Sequence, residues 1–352
     1  MTNPYVPAKI SVVVSEPGFG DLSMADQVLT GLEELGGDIV ADIEYYTAAS
    51  QAEAQSIMES NSTSGEYDLI VVIGGELADE LQTVAANHVN QRFAFIGGEV
   101  VAANVFSATF VQQEGAYLAG ALAALSCVGD ENRTGSSVAG IVASVETDPV
   151  VIALIAGFKQ GFEYAATEFD LNVTLLPEEY VGSYNNSAVA ESIATDMFDP
   201  ADGNATVIFA PVRASLAGIR EAMLFANMTY HANFVNTTRA PLVIAAEGDQ
   251  DYYGLPNINT RSGNSWIITS VVPRSDLAVY DVVNATLWGQ FVGAALVYDL
   301  ESAGIDDTIA GVMLTRSDFL NYDWIPEEFF DIVDDIRLYI INGTIVVSDT
   351  YP

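Results

Sequence analysis

The chain has 352 residues, half of them hydrophobic, which is too long for one compact domain and suits two of roughly 150 residues each. Lys and Arg number 11 against 48 Asp and Glu, a net charge of −37, so no basic cluster exists with which to bind nucleic acid or an anionic membrane surface. A lone cysteine, Cys127, excludes an internal disulfide, and two histidines, His88 and His231, leave no His/Cys zinc site and little room for His-dependent nucleophilic catalysis.

The first half alternates regularly. Residues 9–16 (KISVVVSE) read as a buried strand, and 22–35 as a helix whose apolar stripe is Leu22, Val28, Leu29, Leu32 and Leu35, with Gly36-Gly37 as its stop. A strand at 38–46, a helix at 50–60, a strand at 68–75, a helix at 76–87 and a strand at 92–98 follow. Such a run predicts a parallel sheet with right-handed crossovers, and the near-continuous apolar strands predict helices on both faces. The pattern then restarts with a helix at 114–128, a strand at 136–144, a helix at 149–167 and a strand at 172–181. It goes on with a helix at 187–198, a strand at 205–211, a helix at 214–226 and strands at 240–248 and 265–272. A long helix is expected at about 275–301, then a strand at GVMLT, a short helix at 326–336 and a terminal strand in YIINGTIVV. None of the apolar runs reaches the roughly 18 residues needed to span a bilayer.

Two similar α/β halves, with terminal elements able to cross back, predict a two-lobed clamp. The expected lobes are 1–107 with 272–303, and 108–271 with 304–352, crossing near 104–110, 269–275 and 303–311. In open parallel sheets, ligands bind beyond the carboxyl ends of the strands. Those ends here carry SEPGFGD, GGE, GGE, ASVETD, APVRAS and AEGDQDYYG, rich in glycine, acids and amides. A cleft formed by such edges suits a polar, neutral or cationic small molecule.

Nine Asn-x-Ser/Thr sequons begin at Asn61, Asn132, Asn172, Asn185, Asn204, Asn227, Asn236, Asn284 and Asn342. They point to a surface outside the cell, and with a lone cysteine they fit an archaeal surface protein better than a eukaryotic secreted one. The opening MTNPYVPAKISVVV lacks the charged region and apolar core of a secretory leader, so the leader and any membrane anchor are expected to have been removed. Asn185, beside Tyr184 at the expected cleft, is the sequon expected to be the exception among exposed ones.

Several residues compete for roles. GFGD before a helix lacks the lysine and spacing of a phosphate loop, and Asp21 there either caps the helix or faces a ligand. Glu146 and Asp148 follow another strand, where helix capping is favoured over acid–base work. Glu247, Asp249 and Asp251 form an acidic loop without the pattern of a calcium loop, so no metal is expected. Arg213 and Arg274, rare cations in this chain, both follow strands and are either surface partners or cleft residues. Phe19, Tyr184, Phe209, Tyr252 and Tyr253 lie near strand ends where a ring can stack on a ligand.

Set in order, the segments RFAFIGG with FVQQEGAYLAGALAA, VAGIVAS with DPVVIALIAGFKQGFEYA, YVGSYNNSAVAESIATDMF with ATVIFAPVRASLAGIREA, VIAAEGDQ, IITSVVPRSDLAV and YIINGTIVV resemble the basic-membrane-protein family of ABC-transporter substrate-binding lipoproteins, whose best-known members are purine nucleoside receptors. The likeness runs over nearly the whole chain. It implies an α/β, two-lobed type I periplasmic-binding fold with parallel sheets flanked by helices and three interlobe crossovers. It implies a monomer that binds a nucleoside in the cleft, hands it to a membrane permease, needs no cofactor and does no chemistry. In the family's first loop, D-K-S-F-N-Q, the matches here are Asp21 and Ser23, while Met24, Ala25 and Asp26 replace Phe, Asn and Gln. Met24 and Phe19 are the expected replacements for the lost ring. Glu247 stands where the family has its ribose-binding Asp, and Pro273, with Arg274 next to it, stands where it has a Lys. The ligand set expected is therefore Phe19, Asp21, Ser23, Met24, Asp26, Tyr184, Phe209, Glu247, Asp249 and Arg274. The function expected is a nucleoside receptor, against the alternatives of a nucleoside or sugar hydrolase and a sensory receptor of the same fold.

Overall fold

The computed structural model of the chain describes residues 8–35, 41–128, 135–231, 241–302, 309–320 and 324–351. The chain divides into two compact units, one made of residues 1–111 and 273–312, the other of 112–272 and 313–352.

The first unit opens with β1 (Ala8–Ser15), α1 (Met24–Glu34), β2 (Ala41–Ala48), α2 (Gln51–Ser64), β3 (Leu69–Ile73), α3 (Ala78–Asn87), β4 (Phe93–Ile96) and β5 (Val105–Phe110). The second unit follows with α4 (Gln112–Cys127), β6 (Val138–Ala143), α5 (Pro149–Glu168), β7 (Thr174–Leu175) and β8 (Glu179–Tyr180). It continues with α6 (Ser187–Phe198), β9 (Val207–Ala210), α7 (Leu216–Ala226), β10 (Leu242–Ala246) and β11 (Ile267–Pro273). The chain returns to the first unit for α8 (Ser275–Leu287) and β12 (Ala294–Tyr298), and ends with β13 (Val312–Leu314) and α9 (Glu327–Ile341).

The sheet of the first unit runs β12-β5-β4-β3-β1-β2, with every neighbouring pair parallel. Alternation along the strands sorts its core into two layers. Leu69, Val71 and Ile73 join Ile10, Val12 and Val14 under α1 and α8, while Ile70 and Val72 join Val13, Phe93 and Phe95 under α2 and α3. Local chemistry starts the helices: Ser50 caps α2 by accepting from the Glu53 N–H at 3.2 Å, and Gly65 ends it in the left-handed region at φ 65°.

The sheet of the second unit runs β13-β11-β10-β9-β6-β7, with β8 also pairing with β6. Asp148 caps α5, with Pro149 in its first turn. Helices α4 and α5 touch through glycines: a Cβ at Gly161 would stand 1.8 Å from the Tyr117 carbonyl oxygen, and one at Gly120 2.0 Å from that of Phe158. This close approach explains an α4 buried nearly all round, Cys127 included. Among the described residues, no helix is long and apolar enough to cross a membrane.

Four expectations are corrected. The helix foreseen at 275–301 stops at Leu287; Gly289, at φ 69°, turns the chain, and the remaining apolar run becomes β12, the edge partner of β5. The stretch expected only as a crossing near 104–110 is the strand β5, VFSATF. The single strand foreseen at 172–181 is two short ones divided around Pro177. The terminal YIINGTIVV forms no strand, because α9 runs on to Ile341 and Gly343, at φ 74°, ends the turn after it. The Gly36-Gly37 stop and most of the 303–311 crossing lie outside the described residues.

Candidate functional site

Each unit collects polar residues at the carboxyl edge of its sheet. In the first unit the loop after β1 is shaped from within. Asp26, in the first turn of α1, accepts from the backbone N–H of Gly20 and that of Leu22, both at 2.7 Å. Asp21 is buried and accepts from the Ser23 N–H at 3.0 Å, while Ser23 caps α1. Met24 is also buried, its Sδ and Cε lying where a side chain on Gly97 would stand. Phe19 is half-buried and meets Tyr45 edge to face, ring centroids 5.5 Å apart. Five expected residues therefore sit on the loop and the first turn of α1, but both carboxylate oxygens of Asp26 hold the loop's backbone.

In the second unit the edge is a network of side chains from four strand ends. Arg213, after β9, donates from Nε to Glu247, after β10, at 2.7 Å. Its guanidinium lies over the ring of Tyr184, 4.4 Å from the centroid, and one Nη stands 3.7 Å from Asp148, after β6. The Tyr184 hydroxyl donates to Asp148 at 2.6 Å, and the other oxygen of Asp148 caps α5 by accepting from Val150 at 2.8 Å. The Glu247 side chain is 2% exposed and that of Arg213 17%. Burial pulls the guanidinium down, yet the charges of Glu247 and Asp148 outweigh it and hold Arg213 above its ordinary value. Burial, then the bond to Asp148, pushes the Tyr184 phenol up. Arg213 and Glu247 both sit in the left-handed region, at φ 49° and 70°. Residues without the freedom of glycine keep such a backbone only when their surroundings over-determine it, and they cluster at ligand clamps.

The following loop carries Asp249, exposed, and Asp251, buried. Asp251 accepts from the Ser270 hydroxyl at 2.6 Å. Burial, then the neighbouring charge of Asp249, pushes its carboxyl up to about 7, against the bonds from Ser270 and Thr315. Asp249, Asp251, Thr315, Arg316 and Asp318 line a hollow of about 340 Å³. Tyr252 and Tyr253 pair edge to face and carry Arg261 and Arg220 over their rings.

Two expected residues remain. Arg274, at the start of α8, makes a two-point contact with Asp276 at 2.8–3.1 Å. Phe209 is inside the core of the second unit, fully buried and stacked on Phe158 with centroids 4.5 Å apart. A ring inside strand β9, rather than at its end, faces the helices, so Phe209 does not present a surface on which a base could stack. The sequence leaves Arg213 open as a surface partner or a cleft residue and favours Asp148 as a helix cap. Their signal was position: a rare cation and an acid, each just past a parallel strand.

Seven of the nine sequons are described. Asn172, Asn185 and Asn342 are exposed and Asn204, Asn227 and Asn284 half-buried. The exception is Asn61 rather than Asn185: it is buried and donates to the Ser11 hydroxyl at 2.8 Å. Asn132 and Asn236 lie outside the described residues.

The profile of the Bmp family, described as PnrA-like ABC transporter substrate-binding protein, matches residues 8–349. The chain is 26% identical over 299 residues to an uncharacterized lipoprotein of Pyrococcus abyssi, covering 84% of this chain and 68% of that one. It is 25% identical over 346 residues to the ABC transporter nucleoside-binding protein BmpA of Lactococcus lactis, covering 96% and 88%. A crystal structure of an ABC transporter solute-binding protein from Aeropyrum pernix superposes with a TM-score of 0.76 at 23% identity, over 97% of this chain and 94% of that one. That likeness carries the fold, the type I periplasmic-binding class of parallel sheets flanked by helices.

Proposed function

The chain belongs to the Bmp family of PnrA-like ABC transporter substrate-binding proteins, and from that membership we propose that it captures a purine nucleoside such as adenosine or guanosine outside the cell and delivers it to a membrane permease. As a member of that family it is a solute-binding protein and not an enzyme.

The observation that carries the ligand reading is the edge of the second unit, where a buried carboxylate, a fixed guanidinium and an aromatic ring meet beyond the strand ends. A carboxylate such as Glu247 accepts from two sugar hydroxyls, and Tyr184 offers the flat surface a base needs. On the first unit's edge, Asp21, Ser23, Phe19 and Met24 are proposed as further contacts, with Asp26 shaping their loop. Asp249 and Arg274 are proposed as contacts too. The excess of acids disfavours a phosphate, so nucleosides should bind better than nucleotides. Pyrococcus relatives named lipoproteins support an anchored protein on the outer face of the membrane.

Mass spectrometry of the small molecule released on denaturing the purified protein, followed by calorimetry of the stripped protein with adenosine, guanosine, inosine, AMP and ribose, tests this. One nucleoside bound per chain with the ligand recovered intact is expected. Ribose binding as well as adenosine would remove the role of the base, and AMP binding as well as adenosine would remove the electrostatic argument. No heat with any nucleoside would overturn the ligand reading and leave the family.

A further inference from the structure

Resting on the nucleoside reading, we propose that Arg213 is a specificity-determining residue that reads the O6/N7 edge of the base and so selects 6-oxopurine nucleosides, guanosine and inosine, over adenosine. The guanidinium is fixed on more than one side. Its Nε is bound to Glu247 at 2.7 Å, its plane is laid on Tyr184 at 4.4 Å, and its side chain is only 17% exposed. Of its five N–H groups, the network uses one in a hydrogen bond. Among the described residues the Nη atoms donate none, the nearer approach being the 3.7 Å to Asp148. What remains is a planar fork of donors held at a set angle beyond the strand ends.

The occupant of such a fork is a planar pair of acceptors, and the net charge decides which kind. Arg213 faces two carboxylates, Glu247 and Asp148. The cluster carries an excess negative charge, so it opposes a phosphate or carboxylate and leaves a neutral acceptor pair. In a purine nucleoside that pair is O6 with N7, the edge to which arginine binds two-pronged in nucleic-acid grooves. Adenosine presents N7 beside an amino group, which sets a donor against a donor.

The backbone adds a second, independent observation. Arg213 at φ 49° and Glu247 at φ 70° each hold a conformation that favours glycine, and the two are joined directly at 2.7 Å. A purely structural ion pair at a strand end needs neither residue to be strained, whereas a side chain aimed at a ligand is where such strain is kept.

Titration calorimetry of the stripped full chain decides it with five probes: inosine, guanosine, adenosine, 7-deazaguanosine and the riboside of unsubstituted purine. Inosine and guanosine should bind roughly 10- to 100-fold more tightly than adenosine. 7-Deazaguanosine, lacking N7, and purine riboside, lacking O6, should each lose most of that advantage. Arg213→Lys keeps the charge but not the fork, and should bring the inosine-to-adenosine ratio within about threefold. The ligand series on the unaltered protein stands even where that variant folds poorly. Adenosine bound as tightly as inosine, or a full ratio kept by Arg213→Lys, overturns the role of Arg213 and leaves the nucleoside reading intact. No heat with any of the five overturns both.

Discussion

Both units place glycine-rich, acidic loops at the carboxyl ends of parallel strands, yet they use their carboxylates differently. In the first unit Asp26 and Asp21 bind backbone N–H groups within eight residues of themselves, so the charge builds the loop that carries it. In the second, Asp148, Tyr184, Arg213 and Glu247 come from four separate strand ends and satisfy one another across them. A loop that holds itself is a local, readable feature and leaves its rings and backbone to meet a ligand. A network between strands is non-local and fixes a cation whose remaining donors the loop architecture alone would not supply.

The difference is broken most directly at Glu247. Glu247→Ala leaves Arg213 buried beside an empty position, and removing one partner of a buried ion pair costs about 3–5 kcal/mol. Urea unfolding should register that loss, and nucleoside affinity should fall roughly 10- to 150-fold where the carboxylate also binds hydroxyls. Unchanged stability would mean that Arg213 is adequately solvated without its partner, and the contrast between the edges would dissolve.

Asp251 sharpens the same contrast through pH. Its folded value of about 7 stands above the ordinary 3.8. The folded chain therefore holds a proton that the unfolded chain releases, and stability falls as pH rises between about 4 and 7. Above that window the cost is fully present, about 2–4 kcal/mol. Asp251→Asn stays neutral and keeps an oxygen to accept from Ser270. It should be more stable than the parent at pH 8, with the difference vanishing near pH 4. A constant difference across that range would show that the buried carboxyl does not titrate there.

How far these features could be read in advance follows from their range. The βα alternation, the capping of α5 by Asp148 and the loop residues Asp21 and Ser23 were legible because they depend on neighbours in sequence. The edge strands β5 and β12 were not: VFSATF carries too many small polar residues to read as a buried strand, and AALVY continues an apolar run that looks helical until Gly289 and Gly293 are given weight. In the candidate site, Tyr184 and Glu247 were legible as strand-end residues, but their link through Arg213 depends on β10, β9 and β6 being neighbours in the sheet. The failure at Phe209 has the same origin, since a strand's interior position faces a helix while its last residue faces the edge. The left-handed backbone of Arg213 and Glu247 carries no sequence signal, neither being glycine.

Asp26 gives a smaller effect and tests the other half of the contrast. Asp26→Ala removes acceptors from two N–H groups, and a loss of about 1–3 kcal/mol is expected. Nucleoside affinity should fall with it, because Phe19 and Asp21 lose their placement. Asp26→Asn keeps one acceptor oxygen and should recover part of both. A variant as stable as the parent that nonetheless loses affinity would make Asp26 a direct contact instead of the residue that shapes the loop.

The smallest effect expected is a near-absence of change, and it separates the network from the surface around it. A net charge of −37 repels itself in the compact state, and raising salt from 0.1 to 1 M shortens the screening length from about 10 Å to about 3 Å. The melting temperature of the whole chain should rise by about 5 °C or more over that range. The Arg213–Glu247 contact, at 2.7 Å and with the Glu247 side chain 2% exposed, lies inside the shorter of those lengths and largely out of reach of ions. Its coupling energy, from a cycle of Arg213→Ala, Glu247→Ala and the double variant at each salt concentration, should change by less than about 0.5 kcal/mol. The cycle cancels the general effect of salt on folding, which all four proteins share apart from the charges removed. A coupling that collapses at 1 M would make the contact an exposed pair, and the second unit's edge would then be held, like the first, by its backbone alone.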